Sequence, residues 1–334
     1  MHANTQGNLF SVTTFGESRG VALGAVIDGC PAGIPLSEED FVKELQKRKP
    51  QFFFETERVE NDIPLILSGV FRGMTLGTPI AVLIKNDETS ECDYKNLEHI
   101  FRPGHADKAW QEKFGLRDFR GGGRSSGRET VARIIAGVVA KKLLHFHAIQ
   151  IKAYPVEVAG LPCKNGEFDK EILAKLKTIK EQGNSCGGLV KCEITNVPSG
   201  LGEPVFSKLD AELAKAMLSI GSIKGIEFGC GFEFAKLDGL TTCELDKNMN
   251  GGIIGGISTG EPIYFTVVVK PPSSISLPHD AYTDTGTITK LQVAGRHDIC
   301  LVRRVAIVVE AMTAIVVADF LLQSKTNRIN KDNY

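Results

Sequence analysis

No CxxC pair occurs among the eight cysteines, which stand at positions 30, 92, 163, 186, 192, 230, 243 and 300. That spacing argues against a zinc site or a disulfide framework, and predicts reduced thiols in a cytoplasmic protein that holds no metal. Neither sign of charge dominates: the formal net charge is −1. No global field draws nucleic acid or an anionic membrane, so neither is expected as a partner and any phosphate recognition must be local. The first eleven residues lack the basic stretch and apolar core of a signal peptide, and no apolar run is expected to span a bilayer. No G-x-G-x-x-G opens a strand–helix–strand unit, so a nicotinamide-dependent flavin reductase is not supported. Repeats, low-complexity tracts and Pro/Ser linkers are also missing. With 334 residues, 42% hydrophobic and 24% charged, the chain is expected to form one domain over residues 1–334 with a flexible tail over 325–334.

What is present is concentrated first in Gly121-Gly122-Gly123-Arg124-Ser125-Ser126-Gly127-Arg128-Glu129-Thr130. The glycines allow close approach of backbone to a ligand. The apolar residues that follow, Val131, Ile134, Ile135, Val138, Val139, Leu143 and Leu144, predict a helix to about Phe146, whose start offers free N–H groups to an anion. Ser125 or Ser126 can cap that helix, and Arg124 and Arg128 can clamp phosphate or carboxylate oxygens. A bare glycine run is usually an ordinary loop and cap. Two arginines astride two serines point instead to an anionic ligand, without naming it.

Elsewhere, Ala22–Ile27 reads as a strand closed by the Cys30-Pro31-Ala32-Gly33 turn. Ser37, with Asp40 three residues on, opens a helix carrying Phe41 and Leu45 and stopped by Pro50. Residues 51–62 read as a loop, and Ile63–Leu67 and Pro79–Ile84 as an antiparallel pair. Further strands are expected at 148–158, 188–196, 226–233 and 262–269, and helices at 168–181, 205–218 and 304–322. Strand and crossover helix do not alternate, so the fold class is α+β, with long apolar helices against antiparallel sheets.

Four more segments crowd polar, small and basic residues into loops. They are Thr14-Phe15-Gly16-Glu17-Ser18-Arg19-Gly20, Arg102-Pro103-Gly104-His105-Ala106-Asp107, Gly251-Gly252-Ile253-Ile254-Gly255-Gly256-Ile257-Ser258 and Gly295-Arg296-His297-Asp298. Together with the glycine–serine run, Leu67-Ser68-Gly69-Val70, the Gly200–Phe206 stretch and Lys270-Pro271-Pro272-Ser273-Ser274-Ile275, they resemble the motif set of the chorismate synthases, in order and over nearly the whole chain. The resemblance implies a β-α-β sandwich, a helical layer between antiparallel sheets, assembled as a homotetramer. It implies 1,4-elimination of phosphate from a small phosphorylated substrate, 5-enolpyruvylshikimate 3-phosphate, to give chorismate. This is a carbon–oxygen lyase reaction of the shikimate pathway, on the route to the aromatic amino acids. It implies reduced FMN as cofactor, with NADPH or a separate reductant as the source of its electrons. The flavin positions it implies are Arg124, Ser125, Ser126, Gly221, Ser222, Gly255, Lys270, Pro271, Pro272, Ser273, Ser274 and Arg296. His105, Asp298, Ser18 and Arg19 fall at catalytic positions, and Arg48 and Arg128 at substrate-anion positions.

The chain departs from the family pattern at five places. Arg19 stands where the first signature has a histidine, and arginine cannot readily move a proton. Gln51 and Phe54 stand where a glycine and a substrate-gripping arginine are usual. Ile299 replaces the proline after His-Asp, and Cys230 an aspartate between glycines. Arg19 and Phe54 leave a second reading, a non-catalytic or weakly active FMN-binding homologue, whereas Ile299 and Cys230 bear on loop stiffness and local hydrogen bonding.

Overall fold

Every second residue of the strand Gly188–Thr195 is buried, with Val190, Cys192 and Ile194 turned to one face. Ile263, Phe265, Val267 and Val269 do the same along Ile263–Val269, the antiparallel neighbour in which Gly188 faces Val269 and Ile194 faces Ile263. This period of two gives each sheet one apolar face that must be covered. The structure, a computed structural model, describes residues 3–56, 60–86, 97–243, 248–292 and 297–327.

Two antiparallel five-stranded sheets are formed. The first contains β1 (Thr5–Gln6), β2 (Ser11–Phe15), β3 (Ala22–Asp28), β4 (Pro64–Ile66) and β5 (Ile80–Lys85), in the order β1-β2-β3-β5-β4. The second contains β6 (Gln150–Val158), β7 (Leu161–Pro162), β8 (Gly188–Thr195), β9 (Ile223–Phe228) and β10 (Ile263–Val269), in the order β7-β6-β8-β10-β9. The helices are α1 (Glu38–Arg48), α2 (Asp107–Phe114), α3 (Thr130–His145), α4 (Lys170–Glu181), α5 (Leu209–Leu218) and α6 (Val302–Ser324), with a further single turn at Gly239–Thr242. α3 packs on β3 and on α6, and α6 packs in turn on β6 and β8. Two helices thus lie between two sheets, which is the expected sandwich.

α6 is apolar on all sides because it is surrounded: Val302, Val305, Val309, Ile315, Val317 and Leu321 are all buried. It corrects the expectation that no run is long enough to span a bilayer, since its length and composition suffice, yet most of it lies inside the protein. Its crossing with α3 is close. A Cβ on Gly137 would lie 2.5 Å from the Cβ of Ala311, so a side chain there would push the helices apart. Polar anchors along its length hold it in place: Asp319 accepts the N–H groups of Asn8, Leu9 and Phe10 at 2.9, 2.7 and 2.9 Å. Glu310 pairs with Lys141 of α3 and accepts the Ala153 N–H of β6 at 3.2 Å.

Most expected elements appear within a few residues of their predicted ends. The Ser37 N–H donates to the Asp40 carboxylate at 3.0 Å at the start of α1, and Pro64 pairs with Ile84 across β4 and β5. The strand expected over 226–233 runs instead over Ile223–Phe228. Gly229, at φ 58°, ends it, and a 3-10 turn occupies Gly231–Lys236. α2 and the hairpin of His279–Thr283 with Ile288–Leu291 were not legible, because short polar segments carry no clear hydrophobic period. Of the expected tail, Thr326 and Asn327 bond back to the helix end and to Glu203, and residues 328–334 lie outside the described residues.

Candidate active site

Three helix ends converge on one region. α1 ends on Arg48, the turn before α3 carries Arg128, and the first turn of α6 carries Arg304. The Arg128 guanidinium contacts Asp62 and, at 2.5 Å, Glu60, while Arg48 lies 3.7 Å from Asp62 and 3.9 Å from Glu60. Arg304 donates to both carboxylate oxygens of Asp298, at 3.0 and 3.1 Å. Burial, with the nearby Arg304 and Arg128 charges, lowers Arg48 to about 10, so it remains a cation at neutral pH. Arg48 and Arg128 are brought together, and Arg304 joins them. The sequence reading missed Arg304, although an Arg-Arg pair opening an apolar helix was the available signal.

From this arginine cluster a circuit of contacts leads back to the glycine run. Arg128 Nε donates to Asn86 Oδ1 at 3.2 Å, and Asn86 Nδ2 donates to the carbonyls of Glu17 and Gly20 at 3.1 and 2.7 Å. Asn86, also missed, therefore ties the loop bearing Ser18 and Arg19 to the arginines. Ser18 is buried and donates its N–H to Gly123 O at 3.2 Å. The glycine run lies flat against that loop: a Cβ on Gly121 would stand 3.0 Å from Ser18 Oγ, and one on Gly122 would stand 3.2 Å from Arg102 Nη2. Arg102 is held by Asp107 through two bonds of 2.8 Å. Against the effect of burial, those bonds keep the Asp107 carboxyl below its ordinary range.

His105 follows on the same loop. Pro103 O, 3.1 Å from Nδ1, can only accept, so Nδ1 carries the proton and Nε2 accepts from the Ser274 hydroxyl at 3.1 Å. Burial, then the Arg102 charge, pushes the imidazole down to about 4, and it is neutral at neutral pH. Lys270 donates to Gly104 O at 2.8 Å and to Ser273 Oγ at 2.7 Å, and its own N–H donates to Ser222 O at 2.9 Å. Burial and Lys224 lower the Lys270 ammonium. Ser185 Oγ donates to Pro272 O at 2.6 Å, and the next N–H, of Cys186, donates to Ile299 O at 2.9 Å, beside Asp298. The circuit closes there.

Other expected positions behave differently. Ser126, not Ser125, is the cap, and it caps a 3-10 turn before α3: its Oγ accepts the Arg128 N–H at 3.3 Å. Arg124 is turned toward β2 and donates to Thr14 Oγ1 at 2.7 Å and to Gly16 O at 3.2 Å. Gly255 tips a hairpin tied to Leu201 and to the start of α5, and no hydrogen bond among the described residues links it to the His105 loop. Arg296 lies outside the described residues. Phe54 is fully buried, its ring packed against Phe52, Phe53 and Phe168.

Beside the glycine run opens a cleft of about 750 Å³, lined by Trp110, Phe114, Phe119, Arg117, Arg120 and Arg124 among others. Nη1 of Arg117 is buried there without a partner among the described residues. Glu17, Asp107 and Asp118 line the cleft too, with Asp118 paired to Arg120 at 3.0 Å, so the aromatic walls, the glycine floor and the other guanidiniums are what suit a planar ring that bears an anionic tail.

The imidazole predicts a pH effect on stability. An ordinary histidine titrates near 6.5 and the folded His105 near 4, so between those values the unfolded chain binds more protons and folding stability falls as pH drops. His105→Gln is expected to lose less stability than the parent between pH 6.5 and pH 4.5. Parallel losses in urea unfolding at the two pH values would contradict this.

The comparisons with known proteins agree with one another. The family model described as chorismate synthase matches residues 10–322. The chorismate synthase of Treponema denticola is 47% identical, with 98% of this chain and all of that protein covered. That of Lachnospira eligens is 43% identical over 99% of this chain and 98% of its own length. A crystal structure of a chorismate synthase superposes with a TM-score of 0.75 at 30% identity, covering 96% of this chain and 93% of its own. Whole-length likeness in sequence and in fold, around this ring of basic loops, means that the chain belongs to the chorismate synthase family.

Proposed function

We infer that the chain catalyses the reaction of its family, conversion of 5-enolpyruvylshikimate 3-phosphate to chorismate and phosphate by 1,4-elimination. The observation that carries this reading is the convergence of Arg48, Arg128 and Arg304 beside Asp298, on the same circuit as His105. A substrate with two carboxylates and a phosphate needs fixed guanidiniums, and here they come from rigid helix ends. Glu60 and Asp62 hold Arg48 and Arg128 in place before substrate arrives. His105 enters neutral and gains its charge when a phosphate approaches, which offsets the Arg102 field. Asp298, oriented from two sides, handles the proton lost from C6.

The residues fit reduced FMN as cofactor. Arg117, Arg120, Arg124, Gly122 and Gly123 line the cleft that would hold it, and Lys270, Ser273 and Ser274, bonded to the Gly104–His105 loop, would contribute further contacts. When bound, reduced FMN supplies transient electron donation, so that the overall reaction is redox neutral. We also assign a carbon–oxygen lyase activity, a cytoplasmic setting suited to the free thiols, and a homotetramer. Exposed Phe206, Phe232 and Leu240 supply apolar surface for contacts between copies.

Anaerobic incubation with reduced FMN is expected to release chorismate and phosphate in equal amounts, and omission of the flavin to abolish product. Because Lys270 and Arg124 add positive charge, reduced anionic FMN is expected to bind roughly tenfold more tightly than the oxidised form. Equal affinities would remove the electrostatic argument, and flavin binding without any turnover would sink the catalytic reading.

A further inference from the structure

Three segments near Asp298 are tied to one another: the end of α1, the residues that follow it and the start of α6. The strap Gln51–Thr56 runs from the end of α1 past Asp298. Its Glu55 side chain is fully buried, and Glu55 Oε2 accepts the N–H groups of Gln51 and Phe52 at 2.7 and 3.2 Å. Arg303 of α6 meets the same carboxylate twice, Nε to Oε1 at 2.7 Å and Nη2 to Oε2 at 2.8 Å. Its remaining N–H groups reach Lys47 O and Lys49 O at the end of α1, both at 2.8 Å. One guanidinium therefore joins three chain segments, and its fork geometry is what lets it do so.

The strap touches the catalytic segment through backbone. The Thr56 N–H donates to Asp298 Oδ1 at 2.9 Å, and the Ile299 N–H donates to Phe54 O at 2.8 Å. A proline at 299 has no N–H and cannot make the second bond. Phe54 fills the space beneath, stacked on Phe52 with ring centres 5.1 Å apart and edge-on to Phe168 at 5.2 Å. Gln51, Phe54 and Ile299, three of the departures from the family pattern, thus belong to a single packed unit.

We propose that the buried Glu55–Arg303 pair is a positioning device for Asp298, acting through the strap's Thr56 N–H. Arg303 and Glu55 bond to each other and to backbone of the strap and of the α1 end, and so set where the carboxylate of Asp298 stands. The role rests on the assignment of Asp298 in the proposed reaction. A displacement of about an ångström at such a group can cost on the order of 10²-fold in rate.

The test compares Arg303→Lys, which keeps the charge but not the fork, with Glu55→Gln, each alone and with Asp298→Asn. Single turnovers are followed anaerobically with reduced FMN and enolpyruvylshikimate phosphate. Each single variant is expected to lower kcat roughly 10- to 10²-fold while KM and affinity for reduced FMN stay within about twofold. In the Asp298→Asn background the further loss is expected to vanish, because the side chain still held there no longer carries the acid–base group whose position matters. A loss carried by KM alone, or an equal loss without the Asp298 carboxylate, would overturn the proposal. Amide exchange supplies a readout that needs no activity. In Arg303→Lys, protection is expected to fall at Thr56 and Ile299 while it persists through the middle of α6. Should the parent chain show no turnover, the proposed reaction fails but this arm still decides: protection retained at both amides contradicts the device, and its selective loss supports it.

Discussion

Asp298→Asn is expected to lower turnover about 10²- to 10⁴-fold, the contribution of a positioned acid–base group. The substitution keeps the shape of the side chain and one oxygen to accept the Thr56 N–H, now 2.9 Å away. It removes the charge that faces Arg304 and the capacity to take and return a proton. Flavin affinity is expected to stay nearly constant, since the cleft lined by Trp110, Phe114 and Phe119 is built from other segments. Rapid-mixing kinetics under anaerobic conditions, beside a flavin titration, separates the two effects. If affinity and turnover fall in proportion, Asp298 serves binding and the assignment is wrong.

Phe54→Arg is expected to restore the residue usual in the family and yet to cost most of the protein's stability. The side chain at 54 is fully buried and meets Phe52, Phe53 and Phe168 with ring centres 5.1, 5.5 and 5.2 Å apart. Loss of a buried phenylalanine alone costs about 3–5 kcal/mol. A guanidinium placed among these rings adds a buried charge, and the adjacent residue in the chain, Glu55, already accepts from Arg303 and two backbone N–H groups. Urea unfolding of the variant should show a loss of at least about 3 kcal/mol, with a milder effect for Phe54→Leu. Unchanged stability with tighter substrate binding would mean that position 54 faces the site after all.

How far the sequence reached is clearest from these two positions. Asp298 could be singled out as a candidate, since an aspartate after a histidine in a glycine-bearing loop belonged to a motif set that extends over nearly the whole chain. The departure at Phe54 was legible too, but its meaning was not. Read as a string, a phenylalanine in place of an arginine is a missing clamp; in the fold it is part of the core that supports the neighbouring loop. Arg19 gives a similar lesson, because its neighbourhood, the backbone of Gly121, lies about a hundred residues away in the chain.

By itself the sequence determined long apolar helices against antiparallel sheets, while their arrangement as a sandwich was implied by the family resemblance. Alternation along 188–196 and 262–269 gave sheet faces, the apolar runs of 130–146 and 304–322 gave the helices that cover them, and glycine, proline and serine marked the breaks. Those signals are local, because burial period depends only on how a strand or helix presents successive side chains. Tertiary structure alone decided how the charges are paired. Arg48, Arg128 and Arg304 come from three helix ends, and Thr56 reaches Asp298 across 242 residues. It also decided that His105 is neutral, since burial and the Arg102 charge act through space and leave no mark on residue type or spacing.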